Sequence, residues 1–277
     1  MASIWHRILD ALRGFPAVSP LALLLALRRP KGLPGFLANV RRSYRASAKL
    51  RAAAVLPHDL LKDRGVITMR LGEHGVFPGE AGLLVAELVA APQPLRVFEI
   101  GTFEGAQTAL IAMSTSDETR VLTLDLPPDE PVPRGVTDKT LIDLAAGQVG
   151  ARFRDTSWDE AEITQLYGNS KTFDFSPYYD SIELVVIDAS HSHEFVLSDS
   201  MQAFRMIRAG GVLLGHEYES MRSEYGVTRC VDRLWKRHGC PIYRLSSEGG
   251  DSRYALMYVD EPTKEKLAAI AQSQDSF

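Results

Sequence analysis

From residue 95 onward, short apolar runs alternate with stretches whose apolar positions recur at helical spacing. The runs at 97–100, 121–125, 182–188 and 211–217 are near-continuous Val, Ile and Leu with an acid at or near the C-terminal end, the pattern of strands buried on both faces. Residues 106–113, 136–146, 158–167 and 193–207 carry the helical period, and 151–154 fits a short edge strand. Strands separated by helices imply parallel pairing with helices on both faces. After a helix over 226–238 the alternation breaks. Residues 241–245 and 254–259 form two strands with only a Ser/Gly/Asp turn between them, which predicts an antiparallel hairpin. The expected fold is therefore α/β, with a mostly parallel sheet of seven strands closed by that hairpin.

The pattern before residue 57 is different. Ser19 and Pro20 open a helix that Pro30 closes, about ten residues long and too short for the roughly 20 that a bilayer requires. A second helix over 35–55 places Leu37, Val40 and Tyr44 near one side and Arg41, Arg42, Arg45 and Lys49 on others. Up to Val55 the chain has ten basic residues against the single acid Asp10, whereas the whole 277-residue chain has a net charge of -4. Residues 1–56 thus read as a basic helical arm on an acidic body, suited to a lid over that body, a second subunit in a homo-oligomer, or a peripheral membrane surface. The acidic body argues against nucleic acid as a partner. Residues 57–277 form the main domain, entered through a connection over 57–70 and a helix over 78–89. Its two cysteines, Cys230 and Cys240, fit neither a disulfide framework nor a zinc ribbon and read as reduced thiols of a cytoplasmic protein.

Chemistry concentrates where the predicted strands end, the edge at which open α/β sheets bind ligands. The stretch 95–110 is a strand, a turn bracketed by Gly101 and Gly105, and a helix. Gly101 lets the chain turn sharply and is expected to leave a ligand room against bare backbone. The Gly-x-x-x-Gly spacing is not that of a dinucleotide binder. Glu99, a charge inside a buried strand, needs a partner, which an amine-bearing ligand would supply. The next predicted strand ends in Asp125, where doubly wound sheets place a carboxylate against ribose hydroxyls.

The segment Glu99-Ile-Gly-Thr-Phe-Glu-Gly105, with Asp125, resembles the first two motifs of the class I methyltransferases that depend on S-adenosyl-L-methionine (SAM), a Rossmann-like family. A second stretch, Ile187-Asp-Ala-Ser-His-Ser-His-Glu-Phe-Val-Leu-Ser-Asp199 followed by Gly210-Gly-Val-Leu-Leu-Gly-His-Glu-Tyr218, resembles the group of that family containing the macrolide-sugar O-methyltransferases and the cephalosporin-hydroxylase-like proteins. The resemblance implies SAM contacts at Glu99, Gly101, Thr102, Phe103, Gly105, Asp125, Asn169 and Ser170, and catalytic roles for Asp188 and for His191 as general base. It also implies a divalent ion, magnesium or manganese, on Asp188, His216 and Glu217. The implied reaction is O-methylation of a small or glycosylated metabolite. His216 stands where the family has a carboxylate, and an imidazole suits manganese, iron or zinc better than magnesium. Asn169 replaces a family aspartate and His193, which has no assigned role, replaces a tyrosine. Asp199 reads as a surface acid or a local hydrogen-bond partner, and Phe103, Trp158 and Tyr178 as pocket walls or core.

Overall fold

The structure is a computed structural model that describes residues 94–136, 148–154, 162–218, 226–247 and 250–273. The arm over 1–56, the segments 57–70 and 78–89, nearly all of the expected helix 136–146, and Trp158 lie outside the described residues.

Seven strands form one sheet in the order β3-β2-β1-β4-β5-β7-β6. They are β1 (Arg96–Ile100), β2 (Arg120–Asp125), β3 (Ile163–Tyr167), β4 (Ile182–Ile187), β5 (Ile207–Gly215), β6 (Tyr243–Ser247) and β7 (Gly250–Val259). The first five pair in parallel, and β7 runs antiparallel to both β5 and β6. The order reverses at β1, which pairs with β2 on one side and β4 on the other, so a ligand crevice is expected beyond the C-terminal ends of these two strands. Among the described residues five α-helices accompany the sheet: α1 (Ala106–Ser114), the single turn α2 (Ala151–Arg154), α3 (His193–Met206), α4 (Val227–His238) and α5 (Glu261–Gln272).

The apolar runs seen in the sequence are buried on both faces. Phe98, Ile100, Val185 and Leu213 pack toward Phe204, Leu234 and Leu267 of α3, α4 and α5. Val97, Val186, Val212 and Leu214 pack on the opposite side with Leu110 and Ile111 of α1. None of the helices among the described residues is long and apolar enough to cross a membrane.

Two expectations about elements fail, each for a physical reason, and one helix was missed. Residues 151–154 form a helical turn rather than an edge strand, because Arg154 N–H bonds Gly150 O and Arg152 bonds Glu104 through both its backbone N–H and its guanidinium. Phe153 alone is buried there, so an alternating reading of Ala-Arg-Phe-Arg rested on one apolar residue. Residues 163–167, expected within a helix, pair with β2 from Val121↔Ile163 to Asp125↔Tyr167. The acid-rich start Asp159-Glu-Ala-Glu162 set a helical period that the β-branched Ile163-Thr164 then abandons. The helix α5 was not anticipated, although Asp260 signals it by accepting a hydrogen bond from Thr263 N–H at 2.9 Å with Pro262 in the first turn.

Candidate active site

The turn after β1 is built from close backbone contacts. Gly101 has φ +106, and a Cβ there would lie 2.3 Å from the Asp188 carbonyl oxygen. The space that its missing side chain was expected to leave for a ligand is therefore occupied by the chain itself, at the start of the segment after β4. Backbone bonds lock the contact, from Asp188 N–H to Ile100 O at 2.9 Å and from Gly101 N–H to Leu124 O at 2.8 Å. Phe103 takes φ +51, and its N–H reaches the Asp125 carboxylate at 2.7 Å. The other oxygen of that carboxylate accepts from Leu126 N–H, also at 2.7 Å. Burial raises the Asp125 pKa, the two N–H bonds opposing it. Gly105 caps α1 and accepts from Ala109 N–H at 3.0 Å.

Glu99 departs from expectation, since its charge is met from within the chain. It is fully buried and accepts from Thr108 Oγ1 at 2.5 Å, Thr123 Oγ1 at 2.6 Å and Gln107 Nε2 at 3.0 Å. Burial nonetheless pushes its carboxyl up to about 7. The bonds continue in both directions. Gln107 Oε1 accepts from the Tyr254 hydroxyl at 2.5 Å, and Thr102 Oγ1 lies 2.7 Å from Thr123 Oγ1 and accepts from Gln165 Nε2 at 3.0 Å. A continuous polar network thus runs under the sheet edge from the turn after β1 to β7. Gln107 and Tyr254 were not singled out in the sequence, where a helix-surface amide and a strand aromatic carry no distinguishing pattern.

The loop after β3 comes back to this edge, with Gly168 N–H on Asp125 O at 2.9 Å. Asn169 turns its side-chain oxygen to Lys171 N–H at 3.0 Å, and Ser170 lies beside Asp199. Asp199 is not on the surface as expected: it is fully buried in α3, and neither carboxylate oxygen has a hydrogen bond of ordinary geometry among the described residues. Burial pushes its carboxyl up to about 7, against the Ser170 hydroxyl and the Lys171 charge that favour ionisation. A carboxyl whose folded pKa is raised is bound most favourably when protonated, so the folded state loses stability as pH rises from the ordinary value near 4 to about 7. Asp199→Asn removes that loss. Urea unfolding should show the variant more stable than wild type by about 1–3 kcal/mol at pH 8, with the difference vanishing toward pH 4.

At the end of β4, Asp188 holds two imidazoles on one oxygen. His216 Nδ1 lies 2.8 Å from Asp188 Oδ1 and His191 Nε2 lies 3.4 Å from it. Burial alone would raise the Asp188 pKa, but the two histidines outweigh it and hold the carboxyl at about 2. Burial likewise works to lower His216, and the Asp188 charge and hydrogen bond reverse the sign, so its pKa is raised. The His216 ring rests on the Tyr254 ring, centroids 4.6 Å apart. His191 is placed by Gly226, whose N–H donates to His191 O at 2.6 Å and whose missing side chain would sit 2.2 Å from His193 Cα. His193 turns away, its Nδ1 3.3 Å from Cys230 Sγ.

The metal set inferred from the sequence needs one correction. The strand ends at Gly215, and Glu217, at φ +59, leaves the edge to bind Arg253 Nη1 at 2.8 and 3.1 Å. The donor atoms that could share an ion belong to Asp188, His191 and His216, all within 4.8 Å of one another. One carboxylate and two imidazoles do not suit magnesium, which favours an all-oxygen octahedron, and suit zinc, manganese or iron better.

Residues 98–218 match the protein family described as "Methyltransferase domain". That span begins inside β1 and ends at Tyr218, and so covers both the turn after β1 and the Asp188 cluster. Over that span, just under half of the chain, the sequence is similar to a methyltransferase domain, and the strand order agrees with that likeness. No curated protein matches the chain. Among solved structures, the chain is similar to an O-methyltransferase from Bacillus cereus in complex with SAH, at 16% identity over 94% of this chain and 100% of that one, TM-score 0.45. It is also similar to the O-methyltransferase TomG from Streptomyces achromogenes in complex with SAM, at 18% identity over 69% and 83% of the two chains, TM-score 0.44. A protein from Corynebacterium glutamicum is 12% identical over 93% and 97%, TM-score 0.49.

Proposed function

We propose that this protein transfers a methyl group from SAM to a hydroxyl of a small-molecule acceptor, with Asp188 and its two histidines taking the hydroxyl proton. The observation that carries the reading is the contact between the two halves of the site. The cofactor turn touches the Asp188 segment backbone to backbone at Gly101, so a donor seated on the turn and a base on Asp188 share one crevice.

In this reading Thr102, Phe103 and Gly105 form the wall for the donor, Asp125 receives its ribose, and Asn169 and Ser170 flank the base. The Asp125 oxygens each hold one backbone N–H and keep lone pairs for hydroxyl donors. Glu99 acts from below by fixing Thr102, Thr108 and Thr123 rather than by direct contact. The donor's sulfonium makes its methyl carbon electrophilic and leaves as a neutral thioether. What remains for the protein is to orient the acceptor and remove its proton. The acceptor O–H gives its proton to an imidazole nitrogen as the oxygen bonds to the methyl carbon. Asp188, held ionised, steadies the imidazolium that forms. Of the two histidines, His216 has the shorter bond to Asp188 and the raised pKa, while His191 stands further off. O-methylation fits better than N-methylation because an amine already has a free lone pair at higher pH and gains less from a base.

The grouping of the three donor atoms supports a second reading of the same centre, in which Asp188, His191 and His216 hold a nitrogen-favouring divalent ion that acidifies the acceptor hydroxyl. Methyl transfer from labelled SAM to a panel of hydroxylated metabolites, run with chelator and with added zinc, manganese or magnesium, tests both. Turnover that survives the chelator supports the proton-transfer version. Turnover lost with the chelator and restored by zinc or manganese supports the ion version, and transfer to no hydroxyl under any condition overturns the function.

A further inference from the structure

A cavity of about 60 Å³ opens between α3, α4 and the β4-β5-β7 part of the sheet, and its wall includes Asp188, His191 and His216. The rest of the wall is mostly apolar and includes Phe204, Leu213, Val231, Leu234, Ile242 and Met257. Ser190 and Ser200 are the only other polar residues lining it. The donor atoms of the three titratable residues lie within 4.8 Å of one another, so the titratable groups of this wall are gathered in one place, and apart from the two serines the remaining side chains are hydrocarbon or sulfur.

A cavity of this kind is matched by a ligand with the same division. Water inside it would find hydrogen-bond partners only at the Asp188 end, and apolar cavities stay dry until an apolar group fills them. We propose that this cavity is the acceptor subsite and that it selects alcohols whose hydroxyl is borne on a compact apolar group of about two or three carbon atoms. The inference rests on the reading of the Asp188 centre as the place where the acceptor loses its proton. It adds the chemistry of the acceptor: the hydroxyl stays on Asp188 and its histidines, and the hydrocarbon end points inward between α3 and α4. Sugars and polyols are disfavoured, since their further hydroxyls would be buried against Leu and Val without partners.

Binding of small alcohols to the full-length protein in the presence of S-adenosylhomocysteine tests this, with the ¹³C-labelled methionine methyl signals as the readout. Met257 lines the cavity, and its signal, assigned through Met257→Leu, should shift on titration with ethanol, 1-propanol and 1-butanol but not with glycerol or glucose. Affinity should strengthen about fourfold per added methylene until the cavity is full. Val231→Phe, which fills the space from α4, should weaken 1-propanol and 1-butanol at least tenfold while S-adenosylhomocysteine still binds. Ala255→Val is the milder variant if Val231→Phe does not fold. Affinity that does not change along the alcohol series, or binding that Val231→Phe and Ala255→Val leave intact, would overturn the proposal. Failure of S-adenosylhomocysteine itself to bind would count instead against the methyltransferase reading.

Discussion

Asp188→Asn should lower kcat by about 10²- to 10⁴-fold while leaving the affinity for the methyl donor within a fewfold of wild type. The side chain keeps its shape but loses the charge that both histidines share. Without that charge an imidazolium formed during proton transfer has no counter-ion, and in the ion-bound version the site loses its one carboxylate ligand. Both versions therefore give the same sign. The charge also governs the pH profile. Asp188 raises the His216 pKa, so the neutral, proton-accepting form dominates only above the usual histidine range, and the acid limb of kcat lies correspondingly high. In Asp188→Asn the acid limb of the residual rate should move toward lower pH, because burial then acts on His216 against the Glu217 charge without that of Asp188. Steady-state rates of labelled methyl transfer from pH 5 to 9 measure both effects. A variant within threefold of wild type at every pH would remove Asp188 from the chemistry.

Gly101→Ala should be among the most damaging single methyl additions to the described fold, combining a backbone clash with a positive φ. At φ +106 a side chain is strained, and this one would be driven to 2.3 Å from the Asp188 carbonyl oxygen, an atom held by the pairing of β1 with β4. Relief requires parting the two central strands where the two halves of the site meet. The expected loss is about 3–5 kcal/mol, which for a domain of this size lowers Tm by roughly 10 °C or more. Gly210→Ala is the control, because Gly210 has φ +82 but nothing within 4 Å of its added methyl, so it carries conformational strain alone. Thermal unfolding of the two variants separates the terms. Equal losses would show that the contact with Asp188 is not tight. Substitution at Gly101 is for this reason a poor probe of cofactor binding, since it disturbs the fold before it reaches any ligand.

The parts of this fold most legible in the sequence are those that single residues specify. The central strands are continuous Val, Ile and Leu because they are buried on both faces, and a two-sided pattern has no rival interpretation when it ends at a glycine or an acid. The hairpin followed from the missing helix between 245 and 254. The edge was harder. Ile163–Tyr167 is half-buried and follows four residues that favour helix, so the deciding term is its pairing with β2, which no local pattern records. Among the site residues, Asp188, His191 and His216 come together as their positions after strands suggest. The directions of Glu99 and Glu217 were not legible. Glu99 faces Thr108 and Thr123, and Glu217 is turned by a positive φ toward Arg253 on β7, a contact 36 residues away in sequence. Asp199 shares a helix face with the buried Phe195, Val196 and Ala203, so its spacing pointed inward and only its charge suggested the surface.

The central claim is that the turn after β1 with Asp125 is a SAM site. Isothermal titration of SAM and of S-adenosylhomocysteine into the full-length protein tests it most directly, with Asp125→Ala alongside. The account predicts one site per chain with micromolar affinity for both ligands, weakened about tenfold or more in Asp125→Ala, which removes the carboxylate proposed to receive the ribose. No heat of binding for either ligand at millimolar concentration, from protein whose unfolding is cooperative, would contradict it.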